Sequence, residues 1–75
     1  MTREDIKIWV DNLLTNSFGN QDRVINHKRK VSAIIIGTLV KITIYETNNQ
    51  FLTEGKFQRD VSQSKAIVDF IMQYN

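Results

Sequence analysis

The stretch VSAIIIGTLVKITIYETNNQFLTEGKFQ, residues 31–58, decides the fold of this chain. Apolar and polar side chains alternate along most of it, which is the period of a β-strand. Two turn signals interrupt the alternation. Gly37-Thr38 suits a type II′ hairpin turn, which favours Gly first, and Asn48-Asn49 suits a type I′ turn because Asn tolerates positive φ. We therefore predict a three-stranded antiparallel meander, with strands over about 30–36, 39–47 and 50–58.

The two turns also set the registers of the predicted sheet. A turn at Gly37-Thr38 places Ile35 opposite Val40, and the turn at Asn48-Asn49 places Val40 opposite Phe57. Apolar side chains then collect on one face, which would be the core face. Its predicted members are Val31, Ala33, Ile35, Val40, Ile42, Ile44, Phe51 and Phe57. Arg23-Val24-Ile25 is a candidate for a short additional edge strand.

One amphipathic helix is predicted before the strands in the sequence, and another after them. Apolar residues recur at helical spacing near the start and near the end of the chain, which indicates helices over about 3–16 and 62–73. The predicted caps are Thr2, in a capping box with Asp5, and either Asp60 or Ser62. The expected fold is a single small α+β domain over residues 1–75. It has two layers in the order α-β-β-β-α, with both helices on one face of the sheet.

The composition is that of a small globular protein. The chain has 75 residues, of which 41% are hydrophobic and 24% charged, so one packed domain is expected. It has no cysteine, which excludes disulfides, thiol catalysis and cysteine-based zinc sites and fits a reducing cytoplasm. No apolar segment approaches the roughly 18 residues of a membrane span, so no membrane association is expected. The abundance of Ile, Asn and Lys suggests AT-rich coding, which phages and plasmids of low-GC bacteria share with many whole genomes.

The second face of the predicted sheet is half apolar, whereas a face in contact with water is mostly polar. Its register places Tyr45 opposite Leu52 and Lys41 opposite Lys56, the latter a destabilising pair of like charges. An apolar patch rimmed by lysines is a candidate protein interface, and homodimerisation is the commonest use of one. The alternative is that one helix packs on this side and makes the face part of the core. The candidate interface residues are Ile34, Ile36, Leu39, Lys41, Tyr45, Leu52 and Lys56.

Positive charge is concentrated in residues 23–41, which contain five Arg and Lys residues and no Asp or Glu. Such a segment could contact phosphates, and Tyr45 beside Lys41 could stack on a base. Cations at the entry of a strand are also common devices for solubility and for protecting a sheet edge. The residues of this alternative nucleic-acid site are Arg23, Lys28, Arg29, Lys30, Lys41 and Lys56.

Residues for catalysis or metal binding are sparse. His27 is the only histidine, so neither a histidine cluster nor a His–Cys pair can form. Ser62 and Ser64 are better explained as helix caps, and nothing places Glu46 and Glu54 as an acid–base pair. We expect no catalytic, cofactor-binding or metal-binding residue, and therefore no enzyme. The predicted function is a binding module that regulates or inhibits a partner protein of unknown identity by occupying its surface, as small proteins of phages and mobile elements do. A nucleic-acid-binding regulator, dimeric and using residues 23–41, is the alternative.

Overall fold

A computed structural model describes residues 1–15 and 21–75. Within these residues, four strands form one antiparallel sheet in the order β1-β2-β3-β4, and two α-helices complete an α+β fold. The elements are α1 (Arg3–Thr15), β1 (Gln21–Asn26), β2 (Arg29–Ile36), β3 (Leu39–Glu46), β4 (Phe51–Gln58), a 3₁₀ turn (Val61–Gln63) and α2 (Ser64–Met72). The prediction that the first helix extends to residue 16 lies outside the described residues.

The prediction of three strands is wrong, because β1 is a full strand at one edge of the sheet. The candidate edge strand at residues 23–25 is the middle of it, and β1 pairs with β2 from Gln21↔Ala33 to Asn26↔Arg29. A tight turn at residues 27–28 joins the two strands. It is stabilised by the Asn26 side chain, whose Oδ1 accepts the Lys28 backbone N–H at 2.7 Å. Residues 27–28, within the positively charged segment 23–41, therefore form a hairpin turn and not the entry of the first strand.

The first predicted turn and its register are confirmed. Gly37 has a φ of +60°, the conformation that the first position of a type II′ turn requires. β2 and β3 pair with Ile35 opposite Val40 and Ala33 opposite Ile42, so their apolar side chains share one face. The pairing Val40↔Phe57 between β3 and β4 is also as predicted.

The second predicted turn has a different geometry, with a consequence for Phe51. Among the described non-glycine residues only Asn49 has a positive φ, +69°, whereas a type I′ turn needs one at Asn48 as well. The ladder then shifts by one residue, since β3 pairs Ile44 with Thr53 but Tyr45 with Phe51. A one-residue bulge moves a side chain to the other face of a sheet. Phe51 consequently lies opposite Tyr45 and is 56% exposed, so both its predicted place on the core face and the predicted Tyr45–Leu52 pair are wrong.

The core is one cluster of buried apolar side chains drawn from both helices and from three of the strands. β4 contributes no fully buried side chain, and its Phe57 packs half-buried against the cluster. The sheet contributes Ile25, Val31, Ala33, Val40, Ile42 and Ile44, α1 contributes Ile6, Trp9, Val10, Leu13 and Leu14, and α2 contributes Ile67, Val68 and Ile71.

Side-chain caps begin both helical segments. In the predicted capping box, the Asp5 backbone N–H donates to Thr2 Oγ1 at 3.2 Å and the Thr2 N–H donates to Asp5 Oδ2 at 3.3 Å. The hydrogen bonds from Thr2 lower the pKa of the Asp5 carboxyl. Of the two predicted caps at the other end, Asp60 is the one observed, and it accepts the Ser62 N–H at 2.9 Å. A 3₁₀ turn follows, so α2 begins at Ser64 and not at 62.

Candidate protein interface

The sheet face opposite the core side chains is here called the outer face. Its residues alternate with those of the core along each strand, and the ladder pairs arrange them in rows that cross the sheet. The aromatic row is Val24–Lys30–Tyr45–Phe51, the acidic row is Asp22–Ser32–Thr43–Glu54, the lysine row is Ile34–Lys41–Lys56, and the aliphatic row is Ile36–Leu39–Gln58. Every candidate interface residue but one belongs to a row; Leu52 is the bulge residue beside Phe51.

Apolar exposure on the outer face is concentrated at its two ends. Val24 (59% exposed) and Phe51 (56%) lie in the aromatic row, and Ile36 (54%) lies in the aliphatic row. The acidic row and the cations of the lysine row separate these ends. The outer face is thus two apolar strips with a charged centre, whereas the sequence suggested one patch rimmed by lysines. Among the described residues, the other exposed large apolar side chains are Leu52 at the bulge, Ile8 in α1 and Val61 in the 3₁₀ turn.

Contacts between side chains order the aromatic row. The Tyr45 and Phe51 rings meet edge to face, with centroids 6.4 Å apart and planes at 76°. Lys30 Nζ lies 5.4 Å from the centroid of the Tyr45 ring, within range of a cation–π interaction, and also donates to Asn49 Oδ1. These contacts hold an aromatic pair and a cation side by side at one end of the outer face.

The lysine row carries unneutralised charge. Lys41 is directly opposite Lys56, as the sequence predicted, and Ile34 lies on the other side of Lys41. Neither lysine forms an ion pair with any described residue. Like charges across a ladder repel, so a carboxylate from another molecule placed here would relieve the repulsion.

The six residues of the predicted nucleic-acid site do not share one surface. Lys30, Lys41 and Lys56 lie on the outer face. Arg29 is half-buried, and its Nη1 donates to both carboxylate oxygens of Glu46 at 2.7 Å. The remaining two lie elsewhere: Lys28 is exposed in the turn after β1, and Arg23 pairs with Val31, a core-face position.

Two exposed apolar residues of the outer face, Val24 and Phe51, were not among the candidates chosen from sequence. Val24 could be placed only once β1 was known to pair with β2 along its full length. Phe51 could be placed only once the bulge at Leu52 was known, and no turn residue signals that bulge.

The solvent side of the helix pair holds a groove of about 440 Å³ between α1 and α2. The ion pair between Arg3 and Asp69, at 2.6 Å, joins α1 to α2, and the ion pair between Lys7 and Asp11, at 2.7 Å, lies within α1. Ser64 Oγ also donates to Asp11 Oδ1 at 2.5 Å. Hydrogen bonds from Lys7 and Ser64 lower the pKa of Asp11. The hydrogen bond between Lys7 and Asp11 also raises the pKa of Lys7. These charged groups satisfy one another and fasten α1 to α2.

Within residues 1–15 and 21–75, His, Asp and Glu side chains form no group of three that could hold a metal ion. Neither described helix has the length and apolarity that crossing a membrane requires. No protein-family model, no curated protein and no solved structure matches this chain.

Proposed function

We propose that this chain is a small non-enzymatic binding module that regulates or inhibits a partner protein by covering part of the partner's surface with the outer face. We further infer that both helices lie over the core face, so that the outer face meets solvent, and that the module acts in the cytoplasm. The observation that carries the proposal is the exposure of Val24, Ile36 and Phe51, each more than half exposed on one sheet face. Exposed apolar groups collected on one surface of a small protein mark interaction sites.

The dimensions of the outer face fit a modest interface. With strands about 4.8 Å apart and about 3.3 Å per residue along each, four strands of six to eight residues cover roughly 500 Å². A partner would cover a similar area, so the complex would bury roughly 1,000 Å² in total. That lies near the lower limit for specific protein–protein interfaces and indicates a transient complex.

The charge pattern defines the kind of partner surface that fits. The apolar strips would meet apolar side chains, and Lys41 with Lys56 would meet a carboxylate between them. Covering a surface in this way is sufficient to block access to it, so the proposed action requires no bond-making step.

The test compares two substitutions at equally exposed isoleucines. Ile36 (54% exposed) lies on the outer face and Ile8 (53%) lies on α1, so Ile36→Glu and Ile8→Glu add the same charge to the two layers of the fold. Each immobilised variant would be incubated with lysate of the source cells at moderate salt, and bound proteins quantified by mass spectrometry. We expect a wild-type partner that is retained by Ile8→Glu and lost by Ile36→Glu. Equal retention by both variants would contradict the proposal.

Single-stranded nucleic acid is the second candidate ligand, because the outer face combines two aromatic rings with lysines. Bases stack on exposed aromatic side chains of sheet surfaces while lysines contact the phosphates. Tyr45 and Phe51 would be the surface on which bases stack, and Lys30, Lys41 and Lys56 would contact the phosphates of the nucleic acid.

Fluorescence anisotropy tests this second candidate with labelled single-stranded RNA, single-stranded DNA and duplex DNA at two salt concentrations. Salt-sensitive binding that Tyr45→Ala and Lys41→Ala weaken, and that Lys28→Ala leaves unchanged, would favour the nucleic acid. Absence of binding at low salt would remove this candidate and leave the protein partner.

A further inference from the structure

The free edge of β4 is the feature from which a further interaction follows. β4 ends the strand order, and no described strand pairs with its outer edge. The backbone groups on this edge can be assigned, because the Arg59 N–H donates to the Thr38 carbonyl at 2.8 Å and thus points toward β3. Direction alternates along a strand, so the odd-numbered residues bond to β3. The N–H and C=O groups of Glu54, Lys56 and Gln58 therefore point away from the sheet.

We propose that β4 pairs antiparallel with β4 of a second copy of this chain, about a two-fold axis at Gly55. In that register Glu54 of each copy lies opposite Lys56 of the other, and both residues have outward-pointing backbone groups. Each such pair exchanges two backbone hydrogen bonds, and its oppositely charged side chains lie side by side on the outer face. The two four-stranded sheets would become one sheet of eight strands. This dimer does not depend on the proposed function, since it uses the edge of the sheet and not the apolar strips.

Charge selects this register over its neighbours. The outward-pointing backbone N–H and C=O groups belong to even-numbered residues of β4. Two copies can exchange hydrogen bonds only where an even-numbered residue of one lies opposite an even-numbered residue of the other, which limits the possible positions of the two-fold axis. An axis at position 54 would place Glu54 opposite itself, and an axis at position 56 would place Lys56 opposite itself. Both like-charged registers are disfavoured. Axes further along the strand shorten the paired stretch or include the bulge at Leu52.

The core-face side of the same edge also favours a second copy. Phe57 and Phe70 contact edge to face at 5.7 Å, and Phe70 and Tyr74 at 5.9 Å, yet all three side chains are only half-buried. In the proposed register Phe57 lies opposite Thr53 of the second copy, which adds cover to the ring. Gly55 lies opposite itself, so no side chain obstructs the approach of the two strands at the axis.

Proteins usually protect an edge strand with charges that repel an incoming strand. Along β4 the charges alternate in sign around a central glycine, which makes the edge self-complementary and permits one partner register. The chemistry of the edge therefore points to a second copy of this chain.

A charge exchange tests the dimer directly. Glu54→Lys and Lys56→Glu each place like charges opposite each other, and each should weaken dimerisation by at least about tenfold. An equimolar mixture of the two variants restores opposite charges at both pairs and should form a heterodimer. The double variant Glu54→Lys/Lys56→Glu should dimerise as the wild type does. Lys28→Glu makes the same change of charge in the exposed turn after β1, at the other end of the strand order, and should have no effect.

The measurement is analytical ultracentrifugation across a hundredfold range of concentration, with circular dichroism to verify that every variant is folded. Lys56→Pro, compared with Lys56→Ala, adds a test of the backbone, because only the proline removes the outward N–H that the Glu54–Lys56 pair uses, and it leaves the bonds to β3 in place. We expect it to weaken dimerisation without unfolding the chain. A wild type that remains monomeric at several hundred micromolar would overturn the proposal. So would a dimer in which the single variants associate as tightly as the wild type.

Discussion

Replacing Ile34 by glutamate distinguishes an exposed sheet face from a second core. Ile34 is half-buried on the outer face, opposite Lys41. Full burial of an isoleucine is worth about 1.5–3 kcal/mol, so losing half of it costs roughly 1 kcal/mol. A carboxylate opposite Lys41 returns about 0.2–1 kcal/mol, and the lower strand propensity of glutamate costs a fraction of a kcal/mol. We expect Ile34→Glu to lower the free energy of unfolding by about 0.5–1.5 kcal/mol.

That loss should leave the domain folded. At about 0.05–0.15 kcal/mol per residue, a 75-residue domain has a free energy of unfolding of roughly 4–11 kcal/mol. The matched control is Ile42→Glu, since Ile42 is fully buried on the core face of the next strand, between Ala33 and Gly55. It would lose the whole apolar contribution and bury an unpaired carboxylate, and we expect it to unfold the chain.

Urea denaturation at low protein concentration measures both variants, followed by the fluorescence of Trp9, the only tryptophan and a buried one. A loss of about 3 kcal/mol or more in the free energy of unfolding of Ile34→Glu would contradict this expectation. Ile34 would then behave as a core residue, and the outer face would be covered by another part of the chain.

Three further outcomes are expected. Gly55→Ala should lower the free energy of unfolding by about 0.5–2 kcal/mol in urea, because its Cβ would lie 3.0 Å from the Phe57 ring and overpacking exceeds the entropic gain; a more stable variant would mean that the ring moves aside freely. Asn49→Ala should lower the melting temperature by about 4–8 °C, because alanine pays roughly 1 kcal/mol at a φ of +69°, while Asn49→Gly should not lower it. The hydrogen bond from Arg3 lowers the pKa of Asp69 below 3.8, so this carboxylate stabilises the fold above about pH 4, and that stabilisation is lost as the pH falls through the lowered value. Asp69→Asn should flatten the fall in melting temperature between about pH 4 and pH 2, and an unchanged slope would exclude this carboxylate as a source of acid sensitivity.

The central hairpin could be predicted from sequence because two independent signals agree there. Gly37 favours one turn type, that turn fixes Ile35 opposite Val40, and the fixed register places the apolar residues of both strands on one face. A shift of one residue would have exposed all of them, so the hydrophobic pattern verifies the turn. The pair Ile34–Lys41 followed from the same register, whereas Lys41 opposite Lys56 followed from the predicted register between β3 and β4.

The two errors in the sheet lie where such agreement is lacking. The turn after β1 has Asn26 as its only turn-forming residue and no glycine, and β1 itself is mostly polar. Neither turn chemistry nor alternation therefore gave more than a candidate strand at residues 23–25, without its full length or its pairing with β2. At Asn48-Asn49 the residues suit two hairpin geometries, and only one of them is followed by a bulge. Among the predicted core-face residues, only Phe51 changes to the outer face, because the ladder has the predicted register from Thr53 onward.

The order of the strands has a consequence for how the chain folds. Each strand pairs with its neighbour in sequence, so the sheet can form from three local hairpins, each of which closes a short loop. The helix pair is different, because its Arg3–Asp69 contact joins residues 66 positions apart. Closing that long loop is the entropically expensive step, and we infer that it limits the folding rate. The 75 residues contain no proline, so no slow prolyl isomerisation should delay it, and an early sheet would expose its core face only until the helices dock.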